Sequence, residues 1–172
     1  MDVSVTNNNF LTQATMAYNN FENCQIPFAA VKLNISMQNA SKKEIDEIVE
    51  DNFRSEKDFI LKKDKNYLIL MERTTIEAAE RAVNRLKSKI GHINKNCGSL
   101  KDNIHNSASA YIFGSIRGTK SMRFKYLDLN PNINSFYKKN HKLTFGYGEY
   151  LRWLQLPKTE SLKIHQMINV VV

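Results

Sequence analysis

Cysteine is nearly absent from this chain. Cys24 and Cys97 are the only two in 172 residues, too few and too isolated for a disulfide framework or a cysteine-based zinc site. Both read as ordinary thiols in a reducing setting. Long apolar runs are missing too. None approaches the ~20 residues that a membrane-spanning helix needs. The opening MDVSVTNNNF has no basic region followed by an apolar stretch, so no signal peptide is expected. The four histidines, His92, His105, His141 and His165, show no metal-ligand spacing. There is no glycine-rich phosphate loop, no nucleophile elbow and no His/Glu pair at helical spacing. These absences point to a cytoplasmic protein with no cofactor and no metal.

What is present suits one globular domain. A length of 172 residues allows a real core, and 42% hydrophobic with 24% charged residues is an ordinary balance for a packed chain. The net charge of +8 is uneven. Residues 1–113 carry 15 basic and 14 acidic side chains, whereas residues 114–172 carry 10 basic and 3 acidic ones. A basic last third suits nucleic acid, an acidic partner or an anionic membrane, and it equally suits plain solubility.

Periodicity locates the elements. Phe10, Leu11, Ala14, Ala17, Tyr18 and Phe21 recur at helical spacing, predicting a helix over 10–24. After Pro27, PFAAVKLNIS is nearly continuous and apolar, as in a strand covered on both faces. Ser41 and Glu44 form a capping box ahead of Ile45, Ile48 and Val49, predicting a helix over 42–53. DFILKKDKNYLILM, residues 58–71, is two apolar runs around a polar turn, a β-hairpin. Thr74 and Glu77 offer a second capping box before a helix face of Ile76, Ala79, Val83, Leu86 and Ile90, ending near Gly91. GHINKNCGSLKDNIHN reads as a loop, SASAYIFGSI as a strand and MRFKYLDL as a further strand. FGYGEYLRWLQL reads as a short helix and LKIHQMINVVV as a last strand. The centre is therefore βαββαβ, an α+β, ferredoxin-like sandwich with helices on one face of an antiparallel sheet.

Four stretches in this order resemble a GGDEF domain, the bacterial diguanylate cyclase family that makes cyclic di-GMP from two GTP. NNFLTQATMAYNNF resembles the family's opening signature, with Leu11 and Thr12 kept. PFAAVKLNIS resembles its first strand. Asp58 precedes Asp64 by the spacing the family uses between an upstream Asp and its signature turn. TTIEAAERAVNRLKSKI and NSASAYIFG resemble the helix and strand that follow. The resemblance covers about residues 9–114. It implies a nucleotidyl-cyclase type of core over 1–114, with 115–172 as a basic, aromatic extension packed on the same domain.

The family's chemistry is not retained. Its five signature positions read Asp64, Lys65, Asn66, Tyr67 and Leu68. Side chains at Asp64 and Lys65 stand where glycines let the backbone approach the nucleotide. Asn66 and Tyr67 replace the acidic pair, and Asn34 occupies the place of the strand-end metal Asp. None of these three is an anionic ligand for Mg²⁺, which phosphoryl transfer needs to neutralise charge at the phosphates. MQNASKKEIDEIVEDN lacks the insertion that surrounds the guanine in active members. The inhibitory Arg-x-x-Asp site keeps Asp58 but has Ser at position 55. Arg54, one residue early, is a poor substitute if that stretch is extended, because a one-residue shift on a strand reverses the face. Asp46, Glu47, Glu50 and Asp51 read as a solvated acidic helix face.

The resemblance thus implies a catalytically inactive signalling module of a bacterial cytoplasm, with a protein partner or a second copy of itself as its target. Tyr147, Tyr150, Trp153, Arg152, Lys138, Lys139 and Lys142 are the candidate partner contacts. An alternative is RNA or nucleotide binding through the same third, where aromatic and basic residues interleave. No RNP-type signature accompanies them.

Overall fold

The fold, given by a computed structural model, is described for residues 7–38, 40–54, 57–95, 107–129, 141–143, 150, 152 and 154. It is α+β. In chain order the elements are α1 (Asn7–Cys24), β1 (Phe28–Ser36), α2 (Lys42–Asn52), β2 (Asp58–Lys63), β3 (Asn66–Glu72), α3 (Ile76–Lys95), β4 (Ser107–Ser115), β5 (Met122–Asp128) and β6 (His141–Leu143). The six strands form one sheet in the order β2-β3-β1-β4-β5-β6, with each neighbouring pair antiparallel.

Both faces of the sheet are covered, and strand alternation decides which residue goes where. Ala29, Val31, Leu33 and Ile35 of β1 pack in one cluster with Ile45 and Val49 of α2 and with Ile76, Ala79, Val83, Leu86 and Ile90 of α3. Phe28 and Ala30 point the other way and pack with Phe10, Ala14, Ala17, Tyr18 and Phe21 of α1. A central strand buried on both sides explains why β1 reads as an unbroken apolar run.

Local chemistry fixes the ends of the elements. Ser41 caps α2, its Oγ accepting from the Glu44 N–H at 3.2 Å. At the end of α1, Gln25 takes a φ of 58° while its N–H still donates to Phe21 O at 2.9 Å, and Pro27 prevents continuation. The hairpin closes at Asp64–Lys65 with Lys63 opposite Asn66. Asp64 accepts the positive φ there, 55°, which Asp tolerates better than most residues. A two-residue turn thus forms without the glycines usual in one.

Three expectations shift. The cap of α3 is Thr75 rather than Thr74: the helix begins at Ile76, and Thr75 Oγ accepts from Ala78 N–H at 3.4 Å. Thr74 is withdrawn because its hydroxyl donates to Glu72 O at 2.8 Å. The helix runs through Gly91 to Lys95, since a glycine inside a helix costs only ~1 kcal/mol and Ile90 anchors the last turns. β6 carries no strand signal of its own and is ordered by pairing with β5. The expected strand over LKIHQMINVVV lies outside the described residues, as does most of FGYGEYLRWLQL.

Candidate functional site

The hairpin tip holds the residues singled out from the sequence. Asn34 and Asn66 are partners across the β1–β3 ladder, and Asn34 Nδ2 donates to Asn66 Oδ1 at 2.8 Å. The two amides are joined by this bond where the resemblance places metal-binding carboxylates. Tyr67, next along β3, faces the opposite side of the sheet and is 1% exposed. Its hydroxyl donates to Asp46 Oδ1 of α2. Burial first, then the bond to Asp46 and the negative charge of Asp46 and Glu50, push the phenol pKa well up, so Tyr67 stays a neutral donor. Asp64 and Lys65 line a cavity of about 260 Å³ with Ile35, Gln38, Lys42 and Tyr67. This set suits Mg²⁺ poorly, because Asp64 is the one carboxylate on its wall among the described residues and two lysines, Lys42 and Lys65, share that wall.

A larger cavity, about 340 Å³, lies between the end of α2 and the start of α3. Its wall includes Arg54, Arg73, Arg81 and Arg85, with Asp58 and Thr74. Four arginines and one carboxylate residue therefore line it among the described residues. Asp58 is fully buried and already engaged: Arg54 Nη2 donates to its Oδ1 at 3.0 Å, and the Arg54 backbone N–H to its Oδ2 at 2.9 Å. Arg54 Nη2 also reaches Thr74 Oγ1 at 2.8 Å. Arg73, Arg81 and Arg85 are exposed, and among the described residues they make no ion pair. Cations gathered at a concave surface with little opposing charge favour the approach of anions.

Arg54 corrects the strand-based expectation. Residue 54 is not on a strand. The chain turns there, with the Lys57 and Asp58 N–H groups donating to Arg54 O at 3.0 and 2.7 Å. The turn folds Arg54 back onto Asp58, so the one-residue displacement in sequence does not reverse its face. Arg81 and Arg85 were missed. Their i, i+4 spacing on the exposed side of α3 is visible in the sequence, yet nothing there places α3 beside the turn at Arg54.

Comparison with known proteins returned no matching family model, no matching curated protein and no matching solved structure.

The residues expected in the last third separate. Tyr150, expected at a partner contact, is instead a core residue with 0% exposure. It stacks on Tyr18 and Phe113 at 5.4 and 5.3 Å and meets the edge of Phe28 at 5.5 Å. Arg152 is exposed, and Lys142 lies on β6 opposite Arg123. Tyr147, Trp153, Lys138 and Lys139 lie outside the described residues. No described helix is long and apolar enough to cross a membrane.

Lys32 is a further residue that the sequence did not flag. It sits on the central strand opposite Leu68 and Tyr111. Burial, followed by the charge of Lys63, lowers its pKa to about 8. Between that value and the unfolded value near 10.5, the unfolded chain holds a proton that the folded chain has lost, so stability rises with pH. Below about pH 8 the burial cost is fully present. Urea unfolding should therefore show a gain on the order of 1–2 kcal/mol from pH 7.5 to 9.5. Lys32→Met should flatten that slope. An equal slope in the variant would assign the effect elsewhere.

Proposed function

We propose that this chain is a catalytically silent GGDEF-like signalling domain of a bacterial cytoplasm that binds a phosphate-bearing ligand in the arginine-lined cavity and passes the signal to a protein partner. The carrying observation is that Arg73, Arg81 and Arg85, which have no ion-pair partner among the described residues, line one cavity beside Arg54 held on Asp58. Silence is supported by the Asn34–Asn66 amide bond at 2.8 Å. The element order β1-α2-β2-β3-α3-β4, with α2 and α3 on one face, supports the ferredoxin-like core that the resemblance implies. Fold alone does not assign function, so the cavity bears the weight of the proposal. The resemblance makes cyclic di-GMP the first ligand to try, because Asp58 stands where the resemblance places the Asp of the inhibitory Arg-x-x-Asp site and Arg54, one residue early in sequence, folds back onto it.

Arginine recognises phosphate through paired N–H donors and keeps its charge at any physiological pH. Titration calorimetry of the purified chain against cyclic di-GMP, GTP and inorganic pyrophosphate should give micromolar binding for at least one probe, weakening as salt rises. Each charge-assisted bond is worth ~1.5–3 kcal/mol, so the double variant Arg81→Glu, Arg85→Glu should lose at least ~100-fold in affinity. Absence of heat with every probe would defeat the ligand reading. Cyclic di-GMP formed from GTP with Mg²⁺ or Mn²⁺ would defeat the silent one. A short RNA whose binding survives the double variant would move the function to the basic last third, where Arg152 is exposed.

A further inference from the structure

We infer that the free edge of β2 docks an extended acidic segment of a protein partner, which joins the sheet as an added strand beyond β2. The inference rests on the reading of this chain as a module that engages a protein partner, and it is independent of the arginine-lined cavity. β2 stands at one end of the strand order β2-β3-β1-β4-β5-β6, with β3 as its neighbour. Two observations fix the phase of its backbone. The two-residue turn sets Lys63 opposite Asn66, and such a pair exchanges both of its ladder hydrogen bonds. Lys63, Leu61 and Phe59 therefore turn their backbone groups towards β3. At the other end of the strand, Asp58 N–H donates to Arg54 O at 2.7 Å, so residue 58 turns its N–H away from β3. Both observations give the same alternation, which leaves the N–H and C=O of Ile60 and of Lys62 pointing off the edge. Among the described residues no backbone group takes them.

Unpaired backbone groups along a sheet edge are a template for another strand, and the side chains beside them say which strand fits. Phe59 and Ile60 lie on opposite faces, each half-buried against one of the two cores, and each offers apolar surface to a neighbour across the edge. Lys62 and Lys63 follow, both exposed, with Lys57 and Lys65 exposed at the two ends. Asp64 at the hairpin tip is the one exposed acidic residue between 57 and 65. Lys62 is paired with Glu50, whereas Lys57, Lys63 and Lys65 make no ion pair among the described residues. Lysine on an edge strand guards against unwanted pairing. Self-pairing is the case it blocks most directly: β2 laid antiparallel on the same strand of a second copy would bring Lys62 and Lys63 of both copies onto one ladder, where like charges repel. An acidic strand meets the opposite situation, and electrostatic complementarity selects it.

Antiparallel pairing, the arrangement of every neighbouring pair in this sheet, sets the order of the partner's residues. Two acidic residues come first, opposite Lys63 and Lys62. Three apolar residues follow, opposite Leu61, Ile60 and Phe59, with β-branched types favoured in a strand. The ladder then stops, because Arg54 O already takes the Asp58 N–H. The partner segment is thus short and extended, acidic at its N-terminal end and apolar at its C-terminal end. Main-chain bonds supply its affinity and the alternating side chains its selectivity.

The test uses the purified full chain and a capped, dye-labelled peptide, Thr-Glu-Glu-Val-Ile-Val-Thr, read by fluorescence anisotropy. The wild type should bind it with micromolar affinity that weakens as salt rises. Methylating the backbone nitrogen of the second Glu or of the Ile, which face Lys62 and Ile60, should weaken binding at least tenfold. Methylating the nitrogen of the Val between them, which faces away from β2, should change binding less than twofold. The variant Lys62→Glu, Lys63→Glu should lose at least tenfold for this peptide and gain as much for Thr-Lys-Lys-Val-Ile-Val-Thr. Absence of binding overturns the inference, as do equal losses from the two methylation patterns or indifference to the charge reversal. A wild type that sediments as a dimer and gives up the dimer when the peptide is added also overturns it, assigning the edge to a second copy. Arg81→Glu, Arg85→Glu should bind the peptide as the wild type does. Failure of the edge therefore leaves the anion cavity standing, and failure of the cavity leaves the edge standing.

Discussion

Replacing Gly114 by Val should destabilise the fold by about 3 kcal/mol, the upper end of the usual cost of overpacking. Gly114 sits on β4 where α3 begins. A Cβ at this position would lie 3.0 Å from Ala29 Cβ and 3.2 Å from both Cα and Cβ of Ile76. Neither neighbour can yield cheaply. Ala29 belongs to the central strand and is fully buried, and Ile76, the first residue of α3, is 2% exposed. Relief would require moving the start of the helix away from the sheet. Gly114→Ala, which adds one methyl, should cost about 1 kcal/mol. Urea unfolding reads both. A Val variant within 0.5 kcal/mol of the wild type would show that α3 does not seat on β4 as closely as these distances imply. The effect extends beyond stability, since α3 carries Arg81 and Arg85 and begins two residues after Thr74. A displaced helix start should also weaken anion binding.

Elements with a dense local signal were readable from the sequence. α1, β1 and α2 follow from apolar spacing and from Ser41, because each of those signals is satisfied within a few residues. The hairpin at 58–71 was readable for the same reason, even without glycine at its tip. The misreadings share a different cause. Thr74 and Thr75 are adjacent hydroxyls with the same capping ability, and the choice between them is made by Glu72 O and by Arg54, about twenty residues upstream. Arg54 looks out of reach of Asp58 when counted along a strand, yet it pairs with Asp58 once the chain turns at 54–58. Tyr150 has the composition of a surface hot spot, yet its ring fills the space between Tyr18, Phe28 and Phe113. Aromatic side chains serve cores and interfaces equally well, so the sequence alone does not decide between the two. The arginine cavity is the extreme case. Its cations come from the α2–β2 turn, the β3–α3 turn and α3, and they meet because α2 and α3 lie side by side on one face of the sheet, with Asn52 Nδ2 donating to Ala82 O at 2.9 Å.

Introducing two carboxylates at the hairpin, with Asn34→Asp and Asn66→Asp together, should destabilise the protein by about 2–4 kcal/mol at pH 7.5 without producing cyclase activity. The wild-type pair is joined by one amide hydrogen bond at 2.8 Å, whose loss costs ~1 kcal/mol. Two carboxylates in its place would repel. Unit charges 4 Å apart interact by roughly 4 kcal/mol at an effective dielectric constant of 20, and partial exposure of both positions reduces this. The repulsion raises the pKa of the pair above the unfolded value, so the folded variant binds a proton more readily than the unfolded one. Its deficit against the wild type should therefore be fully present above the raised value and shrink as pH falls towards 4. Millimolar Mn²⁺ should recover part of the loss by binding the new carboxylates in the folded state. A double variant as stable as the wild type at pH 7.5 would mean that positions 34 and 66 do not confront one another. With GTP and either Mg²⁺ or Mn²⁺, no cyclic di-GMP should appear, because Asp64 and Lys65 still hold side chains where the resemblance to a GGDEF domain calls for glycines. Product formation by this variant would show that the carboxylates alone had been missing, and that the glycines and the guanine-side insertion were dispensable.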